Sequence, residues 1–197
     1  MFKYKYMIIG ITGYIGVGKT TAAQILAKLT KQSFRIIDVD KLGHELLKDS
    51  EVKNNLIAEF GENILGRDLE IDRKKLGRIV FSNTELLQQL NNIMHSKIKN
   101  QLSEMLLKAR AKNENVVVDI ALLTELGVND LCDFIILIKA DVEFVYERMI
   151  KGYNKMQILN IMNAQKVQKY NHVVENNGDL DQFEHDLNDV FDGILNL

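Results

Sequence analysis

The sequence predicts an α/β fold, in which a parallel β-sheet is covered by helices on both faces. Short continuous apolar runs recur along the chain, as in strands that are buried on both sides. Segments with apolar residues at intervals of three and four separate these runs and predict helices. The first apolar run leads directly into a glycine-rich segment and then a helix. We therefore expect a P-loop type of three-layer α/β/α architecture with a parallel five-stranded sheet and an inserted helical lobe.

The first strand, helix and second strand occupy the first 40 residues. Residues 6–11 are almost wholly apolar and predict a buried strand. Residues 20–29 predict a helix, and residues 34–39 predict a second strand. This order is typical of a β-α-β unit, so we expect these two strands to form a parallel pair. The predicted inner face of the helix consists of Ala22, Ala23, Leu26 and Ala27.

Helices then follow one another from residue 41 to about residue 115. The apolar pattern predicts them over 42–47, 52–60, 73–81 and 84–112. No strand pattern interrupts this stretch. A helical insertion between strands two and three predicts a lobe over the carboxyl edge of the sheet, where open α/β sheets bind ligands.

The remaining residues resume and close the sheet. Strands are predicted over 116–120, 134–138 and 172–174. Helices are predicted after Asp141 through residue 149, over 155–170, and from Asp179 to residue 195. We expect one domain, with a core of about 1–40, 115–147 and 170–197 and a helical lobe of about 41–114.

Composition excludes several classes of protein. With 197 residues, 46% hydrophobic, the chain is long enough for a substantial core. A net charge of −2 gives no basic field, so we expect no binding of nucleic acid or of an anionic membrane. Cys132 is the single cysteine, which favours a reducing cytoplasmic location and a buried apolar role beside a strand. No segment has the length of an apolar membrane span.

Residues 13–20, Gly-Tyr-Ile-Gly-Val-Gly-Lys-Thr, match the phosphate-binding pattern G-x-x-x-x-G-K-[ST]. The glycines let successive backbone N–H groups surround phosphate oxygens, and the following helix directs the positive end of its dipole towards them. Lys19 would reach the β- and γ-phosphates, and the Thr20 hydroxyl would ligate Mg²⁺. The motif predicts binding of a nucleoside triphosphate, but it does not separate an ATPase, a GTPase and a small-molecule kinase.

Charged residues near the predicted strand ends narrow that choice. Asp38 and Asp40 end the second strand, where one carboxylate would accept a hydrogen bond from a substrate hydroxyl and orient it towards the γ-phosphate. The alternative for Asp40 is the N-cap of the helix that follows. Asp119 ends the third strand and would lie near Mg²⁺, directly or through water; the alternative is an ordinary strand terminus.

Three cationic side chains are candidates for binding phosphate anions. Arg73 opens a helix, His95 lies within a long one, and Arg148 lies near a helix end. The alternative for each is a solvated surface residue or, for His95, a partner inside the helical lobe. The D-x-x-G sequence at residues 40–43 follows the phosphate loop too closely for a GTPase switch, and the chain holds no N-K-x-D guanine motif.

These motifs together resemble those of the dephospho-coenzyme A kinase family over nearly the whole chain. The shared segments are Thr12–Thr20 for T-G-x-I-G-x-G-K-[ST], Asp38-Val39-Asp40 with His44, Phe60-Gly61, Ile71–Phe81 for D-R-x-x-L-G-x-I-V-F, Ile93–Ile98 for I-x-H-P-x-I, Asp119–Glu125 for D-x-P-L-L-x-E, and Glu175–Gly178 for D-N-N-G. The segments at 71–81 and 93–98 are far more particular than the phosphate loop.

The resemblance implies a phosphotransferase that uses ATP and Mg²⁺ to phosphorylate the ribose 3′-hydroxyl of dephospho-coenzyme A, the last step of coenzyme A synthesis. Asp40 would be the base and Lys19 its catalytic partner at the phosphates. The implied acceptor-binding residues are Asp40, His44, Arg73 and His95. The resemblance also implies a short helical lid over about 148–165. The implied ATP-binding residues are Gly13, Tyr14, Ile15, Gly16, Val17, Gly18, Lys19, Thr20, Thr21, Arg148 in this lid, and Asn177 near the adenine. The alternatives are another small-molecule or nucleoside monophosphate kinase, and a non-catalytic ATP-binding protein.

The chain departs from the family pattern at several positions. Ser96 and Ala121 replace expected prolines, and the whole chain contains no proline. The family usually has a second lid arginine after the position of Arg148. Here Lys151 would supply the charge, without the bidentate geometry of an arginine.

Overall fold

A computed structural model describes residues 6–29, 34–149, 154–165, 167 and 169–196. These residues divide into two compact units, and the chain passes between them twice, once at the start of a short helix and once inside a long helix. The first unit comprises the described residues up to Val39 and from Ser103 onwards. The second unit, Asp40–Leu102, is called the helical unit below.

A five-stranded parallel sheet forms the centre of the first unit. Its strands lie in the order β2-β3-β1-β4-β5, and each neighbouring pair is parallel. The predicted α/β architecture with a parallel five-stranded sheet is therefore confirmed. The strands are β1 (Ile8–Gly13), β2 (Phe34–Asp38), β3 (Asn115–Asp119), β4 (Phe134–Lys139) and β5 (His172–Glu175).

The prediction that β1 and β2 form a neighbouring pair is wrong, because β3 lies between them. Residues 116–119 of β3 are all buried, as expected for a strand with neighbours on both sides. By contrast, Arg35 and Ile36 of β2 are exposed, which suits a strand at the edge of the sheet.

Nine helices accompany the sheet within the described residues. They are α1 (Lys19–Leu29), α2 (Val39–Leu46), α3 (Ser50–Phe60), α4 (Arg73–Val80), α5 (Thr84–Ala111), α6 (Leu123–Leu126), α7 (Val142–Met149), α8 (Lys155–Ala164) and α9 (Leu180–Leu195). Two short 3-10 turns lie at Glu62–Ile64 and Asn129–Leu131.

The core of the first unit lies between the sheet and helices α1, α7, α8 and α9. Ile9 and Ile11 of β1 are fully buried there, with Ala22 and Leu26 of α1 and Phe183 of α9. The small alanines let α1 lie close to the sheet, so the segment between β1 and α1 is held at both ends. The helical unit has its own core, made of Leu42, Val52, Leu56, Ile64, Leu76, Val80, Met94, Ile98 and Leu102.

Carboxylate caps fix the starts of three helices. Asp49 accepts from the backbone N–H of Glu51 and Val52 at α3, and Asp72 accepts from Lys74 and Lys75 at α4. Asp179 accepts from the N–H of Gln182, which confirms its predicted capping of α9.

Helix α8 is shorter than the sequence predicts. It begins in a capping box formed by Asn154 and Gln157, but it ends at Ala164 rather than at residue 170. Gln165 has an extended backbone, and its side chain accepts a hydrogen bond from the phosphate loop. Lys151, the expected substitute for a second lid arginine, lies outside the described residues.

Candidate active site

The candidate site begins in the first unit, at the carboxyl end of the central strand β1. Residues 14–18 connect β1 to α1 and form the loop that the sequence motif predicts. Gly18 has φ of +99°, a backbone conformation that other residues rarely adopt. A Cβ atom at Gly18 would also lie 2.5 Å from Nδ2 of Asn176. Both the backbone conformation and the lack of space therefore favour glycine at this position.

Two polar contacts hold this loop. The Nζ of Lys19 donates to the carbonyl oxygen of Tyr14 at 2.9 Å. The backbone N–H of Ile15 donates to Oε1 of Gln165 at 3.0 Å. Both donors belong to groups that a phosphate-binding loop presents to phosphate oxygens, so bound phosphate would compete for them.

Thr20 and Asp119 meet beside the loop. The Thr20 hydroxyl donates to Oδ2 of Asp119 at 2.6 Å, although the two residues are 99 positions apart in the chain. Asp119 is 7% exposed. A hydroxyl oxygen and a carboxylate oxygen in contact are hard ligands, the kind that Mg²⁺ takes in nucleotide sites together with phosphate oxygens and water. The structure therefore brings together the two residues predicted to hold the metal.

Asp38 belongs to the same sheet edge. It is the last residue of β2 and pairs in register with Asp119, the last residue of β3. In-register residues of neighbouring strands lie roughly 5 Å apart at their Cα atoms. Two carboxylates thus end adjacent strands on the side where open α/β sheets bind ligands.

The structure corrects the predicted position of Asp40. The sequence placed it at the end of the second strand or at the N-cap of the next helix. In fact β2 ends at Asp38 and α2 begins at Val39, so Asp40 lies within the first turn of α2, exposed to solvent. A negative charge in the first turn is favourable there because it faces the positive end of the helix dipole.

Arg148 approaches the loop from α7. Its guanidinium donates to the backbone oxygen of Asn176 at 2.7 Å and to Oδ1 of Asn176 at 3.2 Å. It also lies 6.0 Å from the centre of the Phe144 ring. Burial lowers the pKa of Arg148, and Glu147 partly opposes this shift; the group stays charged at neutral pH.

Asn176 and Asn177 have different partners. The Asn176 Nδ2 donates to the carbonyl oxygen of Val17 in the phosphate loop at 2.9 Å. The Asn177 Oδ1 accepts from the backbone N–H of Asp141, just before α7, at 2.8 Å. Sequence reasoning selected Asn177 and missed Asn176, although both stand in the same four-residue motif, because the motif gives no information on which amide faces the loop.

The helical unit contains a pocket of about 410 Å³. Two of the predicted acceptor-binding residues, His44 and Arg73, line it together with Lys48, which the sequence analysis missed. The other lining residues are Leu47, Asp68, Glu70 and Ile71. Asp40 and His95 belong to the same unit but are not among the residues that line this pocket.

Charges in the pocket are unevenly compensated. Glu70 is paired with Lys53 at 2.8 Å, and Asp68 accepts from the backbone N–H of Glu70. Lys48 and Arg73 make no ion pair with any residue that the structure describes. The arrangement leaves two cations for an anionic ligand.

The fold and the loop together define a P-loop nucleotide-binding protein: a parallel sheet, a glycine-rich loop after its central strand, and a helix that begins with Lys19 and Thr20. The family model for dephospho-CoA kinase matches residues 7–182. The chain therefore belongs to the dephospho-CoA kinase family, and the resemblance predicted from the sequence is confirmed.

Individual relatives agree with this assignment. A dephospho-CoA kinase of Fusobacterium nucleatum is 35% identical over 182 residues, which cover 89% of this chain and 92% of that protein. A dephospho-CoA kinase of Bacillus licheniformis is 34% identical over 200 residues, covering 97% and 98%. The solved structure of a dephospho-CoA kinase from Campylobacter jejuni matches with a TM-score of 0.71 at 25% identity, covering 96% of this chain and 97% of that chain.

None of the helices in the described residues combines the length and the apolar character that crossing a bilayer requires.

Proposed function

We propose that this chain transfers the γ-phosphoryl group of ATP to the ribose 3′-hydroxyl of dephospho-CoA, giving coenzyme A and ADP. The single observation that carries the proposal is the contact between Thr20 and Asp119 beside the phosphate loop, in a chain of the dephospho-CoA kinase family. A hydroxyl in contact with a buried carboxylate beside this loop supports the proposal, because a metal-bound triphosphate needs oxygen ligands of this kind.

The donor site is formed by residues 13–21. Their backbone N–H groups and the N-terminus of α1 would bind the β- and γ-phosphates of ATP. Lys19 would exchange its contact with the Tyr14 carbonyl for a phosphate oxygen, and Ile15 would exchange its contact with Gln165 in the same way. Each exchange replaces a neutral acceptor by a charged one, which makes a stronger hydrogen bond.

Thr20 and Asp119 would hold Mg²⁺, either directly or through water. When bound, the ion would neutralise negative charge on the phosphates. Asp38, in register with Asp119, adds a second carboxylate to the same sheet edge. Arg148 would contribute a further positive charge at the phosphates, since it makes no ion pair with any described residue.

Asp40 would act as the base. Its carboxylate would accept the proton of the 3′-hydroxyl while the hydroxyl oxygen forms a bond to the γ-phosphorus. The bond from that phosphorus to the bridging oxygen breaks, and ADP leaves with the electron pair. Exposure of Asp40 in the first turn of α2 keeps the carboxylate accessible to the acceptor.

The helical unit would bind the acceptor. Lys48 and Arg73, with His44, would bind the negatively charged diphosphate of dephospho-CoA in the pocket described above. His95 of α5, in the same unit, would also bind the acceptor. Binding the acceptor through its diphosphate would leave the ribose hydroxyl for the transfer.

The reaction can be tested by measuring ADP formation from ATP and Mg²⁺, with dephospho-CoA, AMP, adenosine and 4′-phosphopantetheine as parallel acceptors. We expect ADP formation that depends on dephospho-CoA, with coenzyme A as the product identified by mass. Turnover confined to another acceptor would refute the proposed substrate, and ATP binding without any acceptor-dependent turnover would refute the proposed activity.

A further inference from the structure

Asn176 is one of the few polar residues in the described core, and it uses every hydrogen-bonding group that it has. It is 8% exposed. Its backbone N–H donates to the carbonyl oxygen of Lys139 at 2.8 Å, which fixes the backbone at the end of β5. Its side-chain Nδ2 donates to Val17, while its two oxygens accept from Arg148.

The chemistry of these partners requires an amide at this position. The Val17 carbonyl needs a donor, and the Arg148 guanidinium needs an acceptor, so only one orientation of the amide satisfies both. An aspartate would place a carboxylate oxygen against the Val17 carbonyl. The Asn176 amide packs closely against Gly18, since a Cβ atom added to Gly18 would lie only 2.5 Å from Nδ2. This close packing leaves little space for a longer glutamine at position 176.

The same contacts connect two parts of the donor site that are far apart in the sequence. Val17 belongs to the phosphate loop, and Arg148 belongs to the last turn of α7. A short path of hydrogen bonds, 2.9 Å and 3.2 Å long, joins them through one side chain. The backbone oxygen of Asn176 adds a second contact to Arg148, which restricts the direction of the guanidinium.

Among the described residues, the hydrogen-bond acceptors of the Arg148 guanidinium are the two oxygens of Asn176, both of them neutral. Arg148 makes no ion pair with any residue in the described part of the chain, and its guanidinium carbon lies 6.0 Å from the centre of the Phe144 ring. A positioned guanidinium that makes no ion pair with a described carboxylate favours binding of an anion.

We propose that Asn176 is a positioning residue that couples Arg148 to the phosphate loop, so that the loop and the guanidinium bind the phosphates as one unit. The proposal rests on the proposed function in one respect, namely that Arg148 contacts the triphosphate. Asn176 itself acts through Val17 and Arg148 and does not have to touch ATP.

A double-mutant cycle on ATP affinity tests the coupling without any acceptor. Asn176→Ala should weaken ATP binding about tenfold in the native background, and by much less in the Arg148→Ala background, because the coupling is already lost there. Equal weakening in both backgrounds would overturn the proposal. Titration calorimetry with ATP and Mg²⁺ gives both affinities.

Asn176→Asp separates the two contacts of the side chain. It keeps acceptors for Arg148 but removes the donor to Val17, so we expect ATP affinity to fall at least as far as in Asn176→Ala. Native affinity in Asn176→Asp would show that the contact with the loop is unnecessary, and would overturn the coupling.

Asn171→Ala is a matched control for loss of a structural amide. The Asn171 Oδ1 accepts from the backbone N–H of Ile135 at 2.7 Å, close to the start of β4 and therefore at the amino edge of the sheet. This variant should lose stability but retain ATP affinity and kcat. A fall in ATP affinity equal to that of Asn176→Ala would mean that any lost amide has this effect, and would overturn the specific role.

A measurement on Arg148→Ala keeps the proposal testable if variants of Asn176 do not fold. Hydrogen exchange at the backbone amides of residues 16–19 should become faster in unliganded Arg148→Ala than in the native chain; unchanged exchange would overturn the coupling. If the native chain binds ATP but has no turnover with dephospho-CoA, the proposed function fails, whereas the cycle on ATP affinity still decides the role of Asn176.

Discussion

Replacement of Gly18 by alanine should destabilise the first unit through two separable effects. The backbone has φ of +99°, a conformation that costs a residue with a Cβ atom about 1–3 kcal/mol. The new Cβ would also lie 2.5 Å from Nδ2 of Asn176, which must then move away from the Val17 carbonyl. Leaving buried polar groups without partners costs a further ~1–3 kcal/mol. We therefore expect the free energy of unfolding to fall by about 2–6 kcal/mol for Gly18→Ala.

Two other glycines provide controls because the space around them is open. Gly193 lies in α9 of the same unit and has no atom within 4 Å of a built Cβ. Gly193→Ala should leave stability unchanged or raise it by up to about 1 kcal/mol, because alanine is the better helix former. Gly61 in the helical unit has φ of +77° and equally open space, so Gly61→Ala should show the cost of the backbone conformation alone.

Urea unfolding followed by circular dichroism measures these differences, and ATP affinity provides the functional readout. Gly18→Ala should lose stability and ATP affinity together, whereas Gly193→Ala should lose neither. If Gly18→Ala were no less stable than Gly61→Ala, the contact with Asn176 would contribute nothing, and the explanation given for this glycine would be refuted.

The remaining predictions concern Asp40, the metal site and Cys132. Asp40→Asn should lower kcat about 10²- to 10⁴-fold with ATP affinity unchanged, as measured by ADP formation and calorimetry; equal loss of both would exclude Asp40 as the base. EDTA should abolish turnover, and Asp119→Asn should raise the Mg²⁺ concentration needed for half-maximal rate about tenfold or more; an unchanged requirement would exclude Asp119 from the metal site. Burial raises the pKa of the Cys132 thiol from 9.0 to about 12, so the native chain, in which Cys132 is partly exposed, should react with iodoacetamide at pH 8 more slowly than the unfolded chain does. Because the folded state then holds this proton more tightly than the unfolded state does, stability should fall as pH rises from about 9 to about 12 relative to a Cys132→Ala control, and parallel curves for the two proteins would contradict the shift.

The sequence by itself determined the features that depend on neighbouring residues. The phosphate loop is a contiguous motif, and its glycines and Lys19 have the positions that the pattern requires. The strands were recognisable because burial on both faces needs continuous apolar runs, and Asp179 was recognisable as a cap because capping uses a side chain only three residues from its partner.

Only the tertiary structure decided how those local features combine. The order of the strands places β3 between β1 and β2, and this order brings Asp119 to Thr20 across 99 positions of chain. The sequence predicted Asp40 at the end of a strand or at a helix N-cap, but because α2 begins at Val39, Asp40 lies in the first turn of this helix. Asn176 contacts Val17 across 159 positions, and no periodicity or spacing in the sequence encodes such a contact. Local patterns specify backbone conformation and burial, whereas pairing between distant side chains follows from the packing of the whole unit.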